Sequence, residues 1–400
     1  KEQLTEFLST AQGAIDRTIE ANRRDDGLYH AYNTLQLRTD MAHINHLYPM
    51  LEGQVAVLSS GALSPDAVLT LLRELRQSVL YRQDQHSYIL YPDRELPDFT
   101  TKNTIDETLI SGLALVQTLV EKQDTSLIVK DVNGDYHFAG DLRNVRDVRD
   151  VLETLSENSE LEELVEENAD SVMMLFEKVF EHDTFTGRSG SFFAYEGLGS
   201  VYWHMVSKLL LAIQENIYLA QATQSEALPL LIKAYYDVRN GLGFNKSPDV
   251  YGAFPLDPYS HTPRDKGAKQ PGMTGMVKEE ILTRIGELGI VIANGEIVFN
   301  PILLRDEELL NDPSVLHYRA VDNTLRQIDV PAGSVAFTLC RVPFIVEHAE
   351  QNQFTVKMND DTSQIVTGYQ LGYDLSQHIF SHDGAIRQVT VGFTETTGTR

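Results

Sequence analysis

The stretch Met273-Thr-Gly-Met-Val-Lys-Glu-Glu-Ile-Leu-Thr-Arg-Ile-Gly-Glu-Leu288 runs directly into Gly289-Ile-Val-Ile-Ala-Asn-Gly-Glu-Ile-Val-Phe299. Its first half continues the helical text that precedes it. In its second half the apolar period drops from 3.6 to 2, around an Asn-Gly pair suited to a tight hairpin. Working outward, most of the upstream chain reads as helices. Downstream, Val335–Leu339, Phe344–Glu347, Phe354–Met358, Ile365–Tyr369 and Gln388–Phe393 read as further strands. Helices followed by a run of strands segregate into two parts. The expected fold is therefore mainly α with a C-terminal β domain: a helical domain over 1–288 and an antiparallel β-sandwich-like domain over 289–400.

Upstream, Leu4, Phe7, Leu8, Ala11, Ile15 and Ile19 recur at helical spacing. A second helix is expected over His43–Ser60, and another from Ser64-Pro65-Asp66, an N-cap hydroxyl with proline at the first helical position. Thr104–Glu121 reads as one helix. Asn133-Gly134 between two apolar runs predicts a small hairpin over 126–140. Val145–Phe180 is helical and acidic, and the seven acids between Glu157 and Asp170 form a solvated face. Ser200–Ala222, with Ser200 as its cap, and Ser225–Asn240 form an antiparallel helix pair. The stretch from Phe244 to Gly272 contains five prolines and three glycines and reads as a long ordered loop, a form often tied to function.

The chain has 400 residues, 42% hydrophobic and 23% charged, the make-up of a globular protein rather than a disordered one. Its net charge of −25 disfavours nucleic acid and anionic lipid as partners. No apolar run is long enough for a membrane-spanning helix. The single cysteine, Cys340, excludes an intrachain disulfide framework. Lys1 already stands in helical text without a leader, so a preceding region of the same polypeptide is an expected partner. The compartment stays open, with the cytoplasm favoured.

No phosphate loop, dinucleotide fingerprint, HExxH or CxxC occurs. His43 and His46 share a helical face only if their segment is helical, and no metal site is read from them. Two segments concentrate chemistry. The first, Thr186-Gly-Arg-Ser-Gly-Ser-Phe-Phe-Ala-Tyr-Glu-Gly-Leu-Gly-Ser-Val-Tyr-Trp-His-Met205, gathers Arg188, Tyr195, Glu196, Trp203 and His204 among glycines. Aromatic faces beside carboxylates suit a sugar, since flat rings meet C–H faces and carboxylates accept from hydroxyls. The plainer reading is a helix start with Trp203 in the core. The second segment, Tyr251–Gly272, gathers Asp257, Tyr259, His261, Arg264, Lys266, Lys269 and Gln270 on a proline-stiffened loop. Its basic groups suit phosphate, sulfate or a uronate carboxylate. The plainer reading there is a solvent-exposed tip.

A helical body with such loops, closed by a β-rich tail, resembles the α/α-toroid carbohydrate-active enzymes, the six-hairpin glycosidase-like group. Within them it is most similar to the cellobiose-phosphorylase-like group, which includes the phosphorylase-like part of cyclic glucan synthases. The resemblance rests on Tyr195-Glu-Gly-Leu-Gly199 with Trp203-His204, on the Tyr251–His261 loop, and on Ile297-Val-Phe-Asn-Pro-Ile-Leu-Leu304. That group's Asp-Trp-Asn acid segment has no counterpart, because the sole tryptophan is Trp203. The resemblance implies a toroid-like body and a glycoside hydrolase or phosphorylase acting on an oligosaccharide or polysaccharide. It needs no cofactor, although inorganic phosphate is a candidate co-substrate.

Carboxylate acid–base chemistry then falls to Glu196 and Asp257. Arg188, His204, His261, Lys269 and Gln270 orient hydroxyls or phosphate, and Tyr195, Trp203 and Tyr259 form a sugar platform. Two alternatives remain open. One is a polysaccharide lyase in which Tyr259 or His261 abstracts the proton and Arg264, Lys266 and Lys269 neutralise the uronate. The other is a non-catalytic glycan-binding portion of a larger protein.

Overall fold

The computed structural model describes residues 2–37, 41–93, 95, 97–182, 199–253, 259–271 and 274–394. The chain begins with α1 (Glu2–Ala21) and the hairpin β1 (Thr34–Leu37) and β2 (Ala42–Asn45). The helical hairpin α2 (Leu51–Ser59) and α3 (Pro65–Gln77) follows, then β3 (Tyr81–Arg82) and β4 (Ser87–Tyr88). Ser64 caps α3, its side chain accepting from the Ala67 N–H, with Pro65 at the first helical position as the sequence predicts.

Next comes a unit with its own core. It comprises α4 (Phe99–Lys102), β5 (Thr104–Ile105), α5 (Glu107–Ile110), α6 (Ala114–Glu121), β6 (Ile128–Lys130), β7 (Tyr136–Phe138), α7 (Val145–Ser156) and α8 (Glu162–Phe180). Its sheet has the order β5-β7-β6. The β6–β7 turn carries Gly134 at φ +94°, the left-handed conformation that the Asn-Gly signal demands. Leu115, Leu119, Phe138, Val148, Val172 and Phe176 fill the core, while the seven acids from Glu157 to Asp170 are exposed.

The helical body resumes with β8 (Val201–Tyr202), α9 (Trp203–Ala222), α10 (Leu228–Asn240), α11 (Pro248–Tyr251), β9 (Tyr259–Thr262), β10 (Lys269–Pro271) and α12 (Thr274–Glu287). Helix α9 is buried nearly all round, by Met205, Val206, Leu209, Leu210, Ile213 and Ile217, and so lies at the centre of the body. Its polar residues are pinned: Asn216 donates to the Leu58 carbonyl and Gln214 to the Thr283 carbonyl.

The remainder holds the hairpins β11 (Ile290–Ala293) with β12 (Glu296–Phe299) and β13 (Ser314–Arg319) with β14 (Leu325–Val330). Then come β15 (Ser334–Leu339), β16 (Val342–His348), β17 (Gln353–Met358), β18 (Ser363–Thr367), α13 (Tyr373–Phe380) and β19 (Ile386–Phe393). The five-stranded sheet has the order β15-β16-β19-β17-β18. The β16–β19 pair is parallel, because α13 carries the chain across before β19 inserts between β16 and β17. Alternate residues, Phe344 and Val346, Phe354 and Val356, Val389 and Val391, face a core completed by Ile297, Phe299 and Ile379. The mainly α body with a C-terminal β part is thus the observed architecture.

Several local expectations are corrected. Residues 43–45 belong to strand β2, and the helix begins only at Leu51. Pro49 explains this, since it biases Tyr48 toward extended backbone. His43 and His46 therefore share no helical face, and His46 stacks on His30 with ring centroids 3.9 Å apart. Thr104–Glu121 breaks at Gly112 into β5, α5 and α6. Ser200 is not a helix cap: Val201 and Tyr202 pair in a sheet, and α9 starts after Tyr202 without a side-chain cap. The segment read as a long loop contains α11, β9 and β10.

Candidate active site at one end of the helical body

The order of contacts gives the helices their sense. The N-terminus of α2 meets Leu90, whose N–H bonds Ser200 just before α9, while the C-terminal carbonyl of Leu58 meets Asn216 far along α9. Helix α2 thus runs alongside α9 in the same direction. Likewise His204 lies against Glu279, Gln214 against Thr283, and Gln214 and Tyr218 against Gly286, so α12 also runs with α9. Helix α3 returns from α2 and α10 from α9, and their C-terminal ends meet where Arg76 pairs with Asp237 at 3.1 Å. The N-termini of α2, α9 and α12 therefore sit at one end, together with the C-termini of α3 and α10. The β3–β4, β8 and β9–β10 segments gather at that same end.

One buried guanidinium stitches these segments together. Arg82, 9% exposed, donates from Nη1 to the carbonyls of Thr262 at 2.8 Å and Gly199 at 3.4 Å, and from Nε and Nη2 to Asp84. The guanidinium holds the Asp84 carboxyl below its usual range. Strand β8 pairs with β9, placing Tyr202 opposite His261, and β9 pairs with β10, placing His261 opposite Lys269. Gly252 and Gly267 cross backbone to backbone at φ +77° and +64°; a Cβ on Gly252 would meet Gly267 Cα at 2.2 Å.

On this platform the Tyr202 ring stacks on His261, with centroids 4.7 Å apart. Tyr202 Oη is 3.3 Å from His204 Nδ1, and His204 Nε2 is 3.6 Å from Glu279 Oε2. Ser260 Oγ is 2.9 Å from His261 Nδ1. Burial holds His204 below the usual histidine value; Glu279 opposes this, and Lys208 and Lys278 add to it. Below them Trp203 is fully buried. Its Nε1–H donates to Thr262 Oγ1 at 2.9 Å, and the edge of its ring system meets Tyr251. The Lys246 ammonium sits 5.9 Å over the indole and donates to the Gln85 carbonyl. Burial pushes this lysine down to about 8. Beside this cluster a cleft of about 420 Å³ is lined by Arg82, Asp84, Asp93, Gly199 and Arg264, among others.

Of the residues named from sequence, His204 and His261 come together around the Tyr202 ring, and Lys269 stands opposite His261 across the β9–β10 pair. Trp203 lies under them as core, and its buried ring offers no platform to a sugar. The side chains of Tyr259 and Gln270 lie outside the described residues, as do Arg188, Tyr195, Glu196 and Asp257 altogether. Three participants escaped the sequence reading. Tyr202 was masked by its neighbour tryptophan, Arg82 by an unremarkable Tyr-Arg-Gln-Asp context, and Glu279 by the charged run Lys278-Glu279-Glu280. Among the described residues no group of three or more His, Cys, Asp or Glu is arranged to hold a metal. Two imidazoles, a phenol and a lysine provide hydrogen bonds for an anion or a polyhydroxylated ligand.

Residues 96–183 match the family model of GH149 phosphorylase insertion domain 2. The match coincides with the unit that carries its own core between Ile105 and Phe180. It does not single out the cellobiose-phosphorylase-like group with which the loops and tail were compared. No curated protein matches the chain. The matched segment supports a glycoside phosphorylase-related family for the protein.

Proposed function

We propose that the chain is the portion of a glycoside phosphorylase that supplies part of its phosphate and sugar site. The reading is carried by the convergence of His204, His261 and Lys269 at the N-terminal ends of α9 and α12. The GH149 insertion-domain match supports it independently. In this reading α2–α3, α9–α10 and α12 form an arc of an α/α toroid, with a domain boundary near residue 289. The substrate is an oligosaccharide and the second substrate is inorganic phosphate.

A carboxylic acid, Glu196 or Asp257, protonates the glycosidic oxygen, and phosphate attacks the anomeric carbon as the bond to the leaving sugar breaks. The products are a sugar 1-phosphate and a shortened glycan. His204, His261, Lys269 and Arg188 hold phosphate, while Tyr195, Tyr259 and Gln270 contact sugar. Trp203 supports the floor of the site from beneath. The experiment is incubation of the chain with a panel of glucan oligosaccharides, with and without inorganic phosphate. Phosphate-dependent release of sugar 1-phosphate, lost in His204→Ala and in one of Glu196→Gln or Asp257→Asn, is the expected result. Reducing sugar released equally without phosphate would turn the assignment to hydrolysis. No phosphate binding and no turnover would remove it.

A further inference from the structure

We propose that Glu279 is a positioning residue for His204: it fixes the imidazole with its Nε2 proton toward a buried carboxylate and favours protonation of the ring when an anionic ligand binds. This deepens the reading of the site as a phosphate and sugar site and rests on it. Glu279 lies on the second turn of α12 with only 2% of its surface exposed. One oxygen, Oε1, meets the Lys278 ammonium at 3.1 Å. The other, Oε2, points at His204 Nε2 from 3.6 Å, and among the described residues neither atom has a hydrogen-bond partner. A buried carboxylate oxygen and a buried ring nitrogen that face each other without any other partner are costly to leave in place for packing alone.

The opposite side of the imidazole is also set. Tyr202 Oη stands 3.3 Å from Nδ1. One neutral tautomer satisfies both sides of the ring: Tyr202 Oη–H donates to Nδ1 and the Nε2–H faces Glu279. The charged and titratable groups around His204 are Lys208 on its own helix, Lys278 and Glu279 from α12, Tyr202 from β8, and His261 from β9 behind the Tyr202 ring. Burial and both lysines oppose a charge on the ring, and Glu279 favours it. Glu279 is thus what keeps an imidazolium accessible at this end of α9, where a bound anion would stabilise it further.

The test is a ¹⁵N NMR titration of the histidine-labelled chain, with inorganic phosphate as the probe. In the wild type, His204 is expected as the Nε2–H tautomer. Glu279→Gln keeps the shape and removes the charge; it should move the His204 titration to lower pH while leaving His261 in place. Glu279→Asp should restore part of the shift. In the wild type, phosphate should move the His204 titration upward, and Glu279→Gln should bind phosphate more weakly, most visibly at high pH. An Nδ1–H tautomer in the wild type overturns the proposal without any variant. So does a His204 titration that stays put in folded Glu279→Gln. A titration that moves as expected but ignores phosphate leaves Glu279 its role and removes the phosphate-site reading.

Discussion

Burying an indole obliges the fold to give its N–H an acceptor. For Trp203 the acceptor is Thr262 Oγ1 at 2.9 Å, on β9, one residue from His261. Thr262→Val keeps the shape and removes the acceptor, and should cost about 1–3 kcal/mol in urea unfolding. Because Thr262 and His261 are adjacent, the same change should also loosen the imidazole. Lys246 is the second residue with a measurable signature. Its ammonium is pushed down to about 8 in the folded chain, whereas an unfolded lysine titrates near about 10.4. Over that interval the unfolded chain binds more protons, so this group makes stability rise with pH. Below pH 8 the penalty for its buried charge is felt in full. Lys246→Met should therefore be stabilised relative to wild type near neutrality, and the gap should close between about pH 8 and 10 in paired urea titrations.

At the scale of elements, α10, α12 and the 3-10 turn at 306–308 are clamped by one charge network. Glu287, 3% exposed, accepts from Tyr235 Oη at 2.7 Å, Arg239 Nη2 at 3.3 Å and Arg284 Nη1 at 3.0 Å. Arg284 continues to Glu308 at 2.6 Å. Deleting Glu287 leaves Arg239 with Glu280 alone, Arg284 with Glu308 alone and the buried Tyr235 hydroxyl without this acceptor, so Glu287→Ala should cost about 1–3 kcal/mol by thermal or urea unfolding.

Elements whose signals were local were legible from the sequence. The Ser64-Pro65 start and the Asn133-Gly134 and Asn294-Gly295 hairpins appear as read, and α9 appears as a helix that starts at Trp203 rather than at Ser200. Elements that depend on distant partners were not. Val201-Tyr202 reads as the start of a helix because its partner strand lies sixty residues away in β9. The parallel β16–β19 pair needs a crossover that no local pattern announces. His204, His261 and Lys269 were visible as residue types. Their meeting depends on two short strand pairings and on Arg82, whose role exists only in three dimensions. Asp237 and Arg239, too close on one helix to face each other, each find another partner: Arg76 for the first, Glu280 and Glu287 for the second.

Across the whole molecule, the chain on the two sides of the unit that carries its own core meets in one place, Asp93 against Gly199. Ile89 bridges to Val201, the Leu90 N–H bonds the Ser200 carbonyl, and a Cβ on Gly199 would meet Asp93 Oδ1 at 2.5 Å. The excursion is closed at its own base as well: Phe99 stacks near Phe180, and Lys102 donates to Glu181 at 2.6 Å. Its apolar cluster is separate from that of the body. Replacing residues 94–198 by a short Gly-Ser connector should therefore leave a folded protein with the body's cooperative melt retained, because closing a short loop between adjacent ends costs little. Aggregation, or loss of the helical circular dichroism of α9 and α10, would show that the two cores depend on each other.

A cassette rooted at a single point is an exchangeable part. The contacts that hold the host's two ends together, Ile89 with Val201, Leu90 with Ser200 and Asp93 with Gly199, all lie outside it, so the unit can be swapped as a block without shifting the pairing at its root.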